Sequence, residues 1–542
     1  MSISSIRKSI GVTIPVIWTA LLPATDAAFA GRDALNGCLV TETEKIVSGS
    51  GEALDLFGWG VAIDGLVAVV GAPGDTIQGV PAGAAYVFIY DGRGWFEQAR
   101  LQPFDVRALD DFGHALAVDA QTRTILIGSD GHDVGARDAG AAYVYVQEDG
   151  HWGWTFKVQA SDVAPDAHFG WSVALDGDRA AVGAYGASTG GPDIGAAYVF
   201  RGARDDWVEE ARLTASDGKQ GDWFGFWVDI EGDVVLAGAP RDDDNGRDSG
   251  SAYVFEYVGQ RWREVEKLVP PDGHAQANFG DAVAISGATL LVGAPGDSEA
   301  GNNAGAVYVY GYDGRRWRLT QKLMASDAAE WDHFGDAVSL DGDVAVVGAY
   351  WSDHNGAESG AAYVWRFDGD EFVEEAKFVA SDGDAQDYFA ISVGVSGDAG
   401  IAGAWFDDER GIDAGAAYLL RGLGDCNENT WLDACDIVEG RSRDGNRNGV
   451  PDECEPACSG KERITTAKCQ RKRESNVLKV KLAGGLPGDT FRLRLTSGES
   501  LEGTLDDRGR AKAKIRHVLP GGGTVTAMWG CGTESRRAYE CP

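Results

Sequence analysis

The sequence predicts an all-β chain whose main body is a seven-bladed β-propeller, and three markers in register predict it. The pair Phe-Gly recurs as Phe57-Gly58, Phe112-Gly113, Phe169-Gly170, Phe224-Gly225, Phe279-Gly280 and Phe334-Gly335, with a degenerate Phe389-Ala390, at steps of 55 residues and one of 57. A Gly-Ala or Gly-Ser pair keeps phase with it at Gly71, Gly128, Gly183, Gly238, Gly293, Gly348 and Gly403. So does a tyrosine, at Tyr86, Tyr143, Tyr198, Tyr253, Tyr308, Tyr363 and Tyr418. A period this long means a supersecondary unit that buries its apolar faces only against its neighbours.

The repeat opening at Phe334 shows the elements in order. Phe334–Leu340 reads as a first strand, and Asp341-Gly342 as a tight hairpin turn, because both residues tolerate positive φ. Residues 344–348 form a second strand, 351–359 a polar loop, 360–365 a third strand, and 372–379 a fourth after the turn Asp368-Gly369. The second and third strands are almost wholly apolar, so both of their faces are covered, as in sheets stacked face to face around a ring. Glycine is abundant, 76 of 542 residues, and the glycines of the repeats lie at fixed phases beside Val, Tyr and Phe, which assigns them to turns and close packing rather than to flexible linkers. An aromatic opens the fourth strands at Trp95, Trp154, Trp207, Trp262, Trp317 and Phe372, a phase that favours packing over a sugar-stacking row.

The seventh copy lacks a fourth strand after residues 416–421. Glu44-Lys45-Ile46-Val47 matches other fourth strands such as Glu266-Lys267-Leu268-Val269, so the N-terminal strand is expected to complete the last blade and leave no open edge. Aligning Ile46 with Leu101 and Tyr418 with Tyr86 places Cys38 and Cys426 at neighbouring turn positions, which predicts a Cys38–Cys426 disulfide.

Residues 1–30 read as a secretory signal, with Arg7 and Lys8 before an apolar run and Ala28-Phe29-Ala30 as cleavage site. The eight cysteines lie beyond it, an even number suited to an oxidising compartment. The chain carries a net charge of −36, but the tail 456–542 has 17 Lys/Arg against 9 Asp/Glu, which leaves residues 31–455 at −45. Such a surface repels nucleic acid and anionic membrane.

Phe-Gly, then Gly-Ala-Pro, then Gly-x-Ala-Tyr-Val-Phe resembles the FG-GAP repeats of the integrin α-chain propeller and of many secreted bacterial proteins, over residues 40–421. The resemblance implies the propeller fold and a binding role. The Asp-x-Asp-x-Asp-Gly calcium loop of integrin-type repeats is absent between the first two strands, so those calcium sites are not transferred. The acidic residues lie instead in the loops between second and third strands (Asp242, Asp243, Asp244, Asp297, Asp353, Asp407) and in those between blades. Turn chemistry, in which Asp bonds its own backbone, accounts for such residues. The alternative is a cation- or ligand-binding face, for which these six are the candidates.

Residues 424–456 change character. Asp444, Asn446, Asn448, Val450 (carbonyl), Asp452 and Glu455 fit positions 1, 3, 5, 7, 9 and 12 of an EF-hand loop, with Gly449 at position 6. Asp425, Asn427, Asn429, Trp431 (carbonyl), Asp433 and Asp436 repeat the spacing, with Thr430 in place of glycine and a shorter final ligand. Calcium wants six to eight oxygens and this spacing delivers them. The pair resembles the duplicated loop of dockerin type I modules and thrombospondin type 3 repeats. Cys435 and Cys454 share position 11 and are expected to pair.

Residues 457–542 read as a small disulfide-bonded basic β domain, with Cys458, Cys469, Cys531 and Cys541 in unknown connectivity. No catalytic motif is present. The function expected is that of a secreted, calcium-binding adhesion or interaction protein, a monomer, binding a protein or a cell-surface or polysaccharide ligand. A lectin-like propeller or a structural envelope component are the alternatives, and no enzyme activity is expected.

Overall fold

The computed structural model describes residues 38–49, 51–77, 79–105, 107–188, 193–424 and 432–442, and within the tail 463–472, 475–484, 490–496, 500–506, 508, 510–518, 521–529 and 534–541. Each repeat folds as a four-stranded antiparallel sheet, with strands in sequence order from first to fourth. The fifth repeat is representative: Val283–Ser286, Thr289–Ala294, Ala306–Tyr312 and Trp317–Leu323. The first strand starts after the Phe-Gly pair rather than at it. The phenylalanine instead makes a parallel bridge to a glycine of the preceding repeat, as in Gly305 to Phe334 and Gly360 to Phe389, and Gly415 of the seventh repeat bridges to Phe57 of the first.

This bridge explains the fixed glycines. Gly360 has φ +87°, and a Cβ there would sit 2.0 Å from the Phe389 carbonyl oxygen. Only glycine admits the neighbouring backbone that close. The bridging phenylalanines and the repeat tyrosines are fully buried and meet edge-on, 5.3 Å apart between ring centroids for Phe279 and Tyr308. Of the aromatics opening the fourth strands, Trp95, Trp207, Trp262, Trp317 and Phe372 are buried, whereas Trp154 is 41% exposed. In that longer repeat Trp152 packs against the core in its place.

The seventh sheet takes its fourth strand from Glu44–Ile46, which runs antiparallel to Ala416–Arg421 with Lys45 opposite Tyr418. The preceding residues Cys38–Thr41 do something the repeat pattern does not contain: they add a fifth strand to the sixth sheet, parallel to Phe372–Val379, with Cys38 opposite Ala376. That crossover corrects the disulfide. Cys38 bonds Cys435, not Cys426, because the chain reaches the seventh blade from the sixth instead of through a turn of the seventh. Cys435 lies in the helix Asp433–Val438 and shares an apolar cluster with Cys38, Val40, Leu423 and Leu432. The expected Cys435–Cys454 pair is therefore also replaced, and Cys426 and Cys454 lie outside the described residues.

The tail is a separate compact unit. One sheet holds Arg463–Lys472, Ser475–Ala483 and Arg510–Val518; the other holds Ser500–Thr504, Thr490–Leu495, Gly521–Trp529 and Glu534–Cys541. Leu478, Val480, Leu482, Leu493, Ile515, Val525 and Ala527 fill the core, and Cys469 bonds Cys541. Cys458 and Cys531 lie outside the described residues.

Candidate functional site

The acidic loops are organised by a cation that each blade supplies itself. In the fifth blade the Tyr308 hydroxyl lies 3.0 Å from both Asp272 and Asp297, and Lys322 Nζ donates to Asp272, Asp297 and Glu299 at 2.7, 2.9 and 2.8 Å. The fourth blade repeats this with Tyr253, Asp217, Asp242, Asp244 and Lys267. In the seventh blade Tyr418, Asp382 and Asp407 are matched by Lys45 from the N-terminal strand. The carboxylates of Asp217, Asp242 and Asp244 converge closely enough to hold a metal ion, but the Lys267 ammonium already sits among them, within 2.7 Å of each.

This corrects part of the expected ligand face. Asp242, Asp297 and Asp407 are buried, and each spends its carboxylate on a tyrosine and a lysine. Asp243 and Asp353 are exposed but accept the amides of Asp248 and Glu358 at 2.8 Å, which is turn chemistry. Asp244 is exposed and held by Lys267.

What the sequence did not single out lies on the axis. The residue directly after each Phe-Gly pair points there from a different blade: Trp59, His114, Trp171, Phe226, Asp281, Asp336 and Ile391 line a well of about 180 Å³ at the Phe-Gly end. Five of the seven are Trp, His, Phe or Ile, and the aromatic rings form a chain. Trp59 to His114, His114 to Trp171 and Trp171 to Phe226 are 5.2, 4.4 and 5.4 Å apart, and Trp405 meets Trp59 edge-on at 4.3 Å. Tyr388 and Tyr350 continue the arc on the other side of Trp405.

The gap in this arc holds two carboxyls. Asp281 and Asp336 hydrogen-bond to each other, and burial pushes both above the usual carboxylate range, Asp336 the further. Two carboxylates side by side in an apolar wall cannot both ionise freely, so the pair retains a proton. Arg241, 3.3 Å above the Trp223 ring, favours the ionised form of Asp281. Beside the arc, burial lowers the basicity of His114 against the pull of Asp130, and Asp130 also contacts His168 Nδ1 at 3.2 Å.

The other end of the axis is built for rigidity. The amide at each first hairpin donates to the acidic or serine side chain of the preceding blade. Ala120 bonds Asp64 (2.7 Å), Gly177 bonds Asp119 (2.9 Å) and Gly232 bonds Asp176 (2.6 Å). Gly287 bonds Glu231 (2.5 Å), Gly342 bonds Ser286 (3.0 Å) and Gly397 bonds Asp341 (2.6 Å). Gly65 of the first blade then bonds Ser396 of the seventh (3.0 Å). A cavity of about 490 Å³ opens inside this ring.

Of the twelve expected calcium ligands, Asp433 and Asp436 alone are described; Asp425, Asn427, Asn429, Trp431, Asp444, Asn446, Asn448, Val450, Asp452 and Glu455 lie outside the described residues. Asp433 begins the helix Asp433–Val438, so positions 9 and 12 fall in the first turn of an exiting helix, as an EF-hand loop requires. Asp436 Oδ1 accepts from Arg441 Nε at 2.7 Å. The all-oxygen donor set fits a hard cation.

Seven four-stranded sheets around an axial cavity define the class: a β-propeller with one sheet per repeat. Residues 40–88, 95–145, 152–200, 207–255, 262–310, 317–365 and 372–420 match the FG-GAP repeat, and together they span more than half of the sequence. The chain belongs to the FG-GAP repeat family. Later matches each open at a fourth strand, and the first opens at residue 40, in the N-terminal segment. A curated relative, integrin alpha-2 of Mus musculus, is 31% identical over 158 residues, which are 25% of this chain and 13% of the integrin. The chain thus matches only a small part of that relative's length. Among solved structures, Sqt1 of Saccharomyces cerevisiae overlays 71% of this chain and 99% of its own at a TM-score of 0.38 and 10% identity, too low for any further argument.

Proposed function

We propose that this is an extracellular interaction protein rather than an enzyme, a propeller closed by its N-terminal strand whose Phe-Gly end receives a protein ligand. The observation that carries this reading is the axial well: partly buried aromatic rings at four of its seven axial positions and a proton-sharing carboxyl pair at two others. Aromatic faces and carboxylates both attract cations, so a Lys or Arg side chain of the partner is the group that suits it. The likeness to part of an integrin α chain supports a protein as ligand. The Cys38–Cys435 and Cys469–Cys541 disulfides support an oxidising compartment, as the signal-like residues 1–30 do. Calcium at 444–455, and at 425–436, would stiffen the connection to the tail, with Asp, Asn and Glu side chains as its ligands.

The test is to titrate an arginine-containing peptide and its citrulline counterpart against the full chain, reading tryptophan fluorescence. Quenching by the first and not the second, lost in Trp171→Ala and in Asp281→Asn, is the expected result. Equal response to both peptides, or binding that ignores both substitutions, would overturn the reading. A glycan that binds the well in preference to either peptide would assign it to carbohydrate instead.

A further inference from the structure

The three-stranded sheet of the tail carries like charges directly opposite one another. Lys479 stands across from Lys468 on one side and Lys514 on the other, and Lys481 stands across from Lys512. Arg516 extends the same face one pair further, opposite Val477. The alternate residues Leu478, Val480 and Leu482 turn inward to the core, so the basic side chains share the outward face, where Lys468, Lys481, Lys512, Lys514 and Arg516 are exposed. Lys479 Nζ donates to Gln470 at 3.2 Å; among the described residues no carboxylate forms an ion pair with any of the six.

Directly opposed like charges destabilise an antiparallel pair, and a solvated sheet face has no folding reason to align them three strands wide. Strands lie about 4.8 Å apart and alternate residues about 6.8 Å apart, so the cations form a regular grid at that spacing. A grid of point charges matches a polymer that presents anions at regular intervals. The face offers little else. Among the described side chains of the tail no large apolar one is exposed to insert into a membrane surface, and no ring is exposed to stack a base. Lysine ammonium, unlike the guanidinium fork, does not select the bidentate geometry of phosphate.

We propose that this sheet face binds an acidic polysaccharide, with Lys468, Lys479, Lys481, Lys512 and Lys514 as the contact row. The site is independent of the axial well and of calcium.

The test uses the full chain and a polygalacturonate oligomer, with neutral dextran, a single-stranded DNA oligomer and phosphatidylglycerol vesicles as parallel probes. Polygalacturonate should bind, dextran should not, and affinity should fall as salt rises. Replacing the five lysines by glutamine should weaken binding at least about tenfold and flatten the salt dependence, each lost contact removing roughly one released counterion. The far-UV spectrum and the Cys469–Cys541 bond should be unchanged, which separates loss of site from loss of fold. Trp171→Ala and added EDTA should leave the binding intact, which separates this proposal from the reading of the well. Unchanged affinity in the five-lysine variant overturns the proposal. So does tighter binding to DNA or vesicles than to polygalacturonate, or self-association of the chain that the same substitutions abolish.

Discussion

Lys45 Nζ lies 2.8 Å from the carboxylate of Asp407, 362 residues away in sequence. The same ammonium reaches Asp382 at 2.7 Å and Glu409 at 2.8 Å. Burial alone would lower its pKa, but these three carboxylates raise it well above the lysine range. It is the charge that Lys267 and Lys322 provide inside their own repeats, delivered to the seventh blade from the other end of the chain. Removing one partner of a buried ion pair strands the other, so Lys45→Met should cost about 3 kcal/mol. Urea melts measure it, and limited proteolysis should cut the variant first within residues 38–48. A variant as stable and as resistant as the parent would show that the seam does not need this charge.

The stability of the propeller should be greatest on the acid side of neutrality. Burial raises Asp55, Asp332 and Asp387 to about 6 and Asp229 to about 7, and burial together with Asp130 raises Asp111 to about 8. A carboxyl whose native pKa exceeds its unfolded value holds its proton more tightly when folded, so stability falls as pH rises through that interval. Asp217, Asp272, Asp327 and Asp382 act the other way: burial would raise them, but their lysine and tyrosine partners lower them, and their contribution is lost only as the pH falls below the usual carboxylate range. Thermal melts should therefore peak at about pH 5 and decline toward pH 8. A midpoint that climbs steadily to pH 8 would contradict these assignments.

Peptide mapping of the non-reduced protein should yield a Cys38–Cys435 fragment. The bond closes a sequence separation of 397 residues, for which chain entropy alone gives a ceiling of about 6 kcal/mol. Cys38→Ser should lose part of that and increase amide exchange along Cys38–Thr41, the strand paired in parallel with Phe372–Val379. A Cys38–Cys426 fragment instead would restore the arrangement the repeat alignment favours.

Calorimetric titration of calcium into the full chain should give at least one site that Glu455→Ala removes, because the bidentate carboxylate at the twelfth position closes the coordination shell. Asp436→Ala should weaken a second site and leave the first. Calcium heats that are the same in the parent and Glu455→Ala would refute the loop assignment.

The repeat number, the order of strands and the apolar character of the second and third strands were legible because each is fixed by local pattern: alternation, turn residues and a period that copies itself seven times. Glu44-Lys45-Ile46 could be recognised as a fourth strand for the same reason, since its neighbours Tyr418 and Asp407 impose on it what Tyr308 and Asp297 impose on Lys322. The acidic loops were visible as acidic, but only their geometry distinguishes a carboxylate offered to a ligand from one already spent on a lysine in the adjacent strand.

Periodicity reveals what repeats keep in common, and the axial well is made from the position where they differ. Trp59, Trp171, Asp281 and Asp336 follow the Phe-Gly pairs without any shared chemistry, so no pattern in the chain marks them. They become a site because a ring brings seven positions about 55 residues apart to one axis. The Cys38–Cys435 bond was hidden for a related reason: it depends on a parallel strand laid across the sixth blade, a contact between sequence-distant segments that no local preference encodes. Sequence alone determined the unit and its count; tertiary structure decided which faces, charges and thiols the closed arrangement brings together, because those encounters depend on where the chain returns in space and not on what lies beside it in sequence.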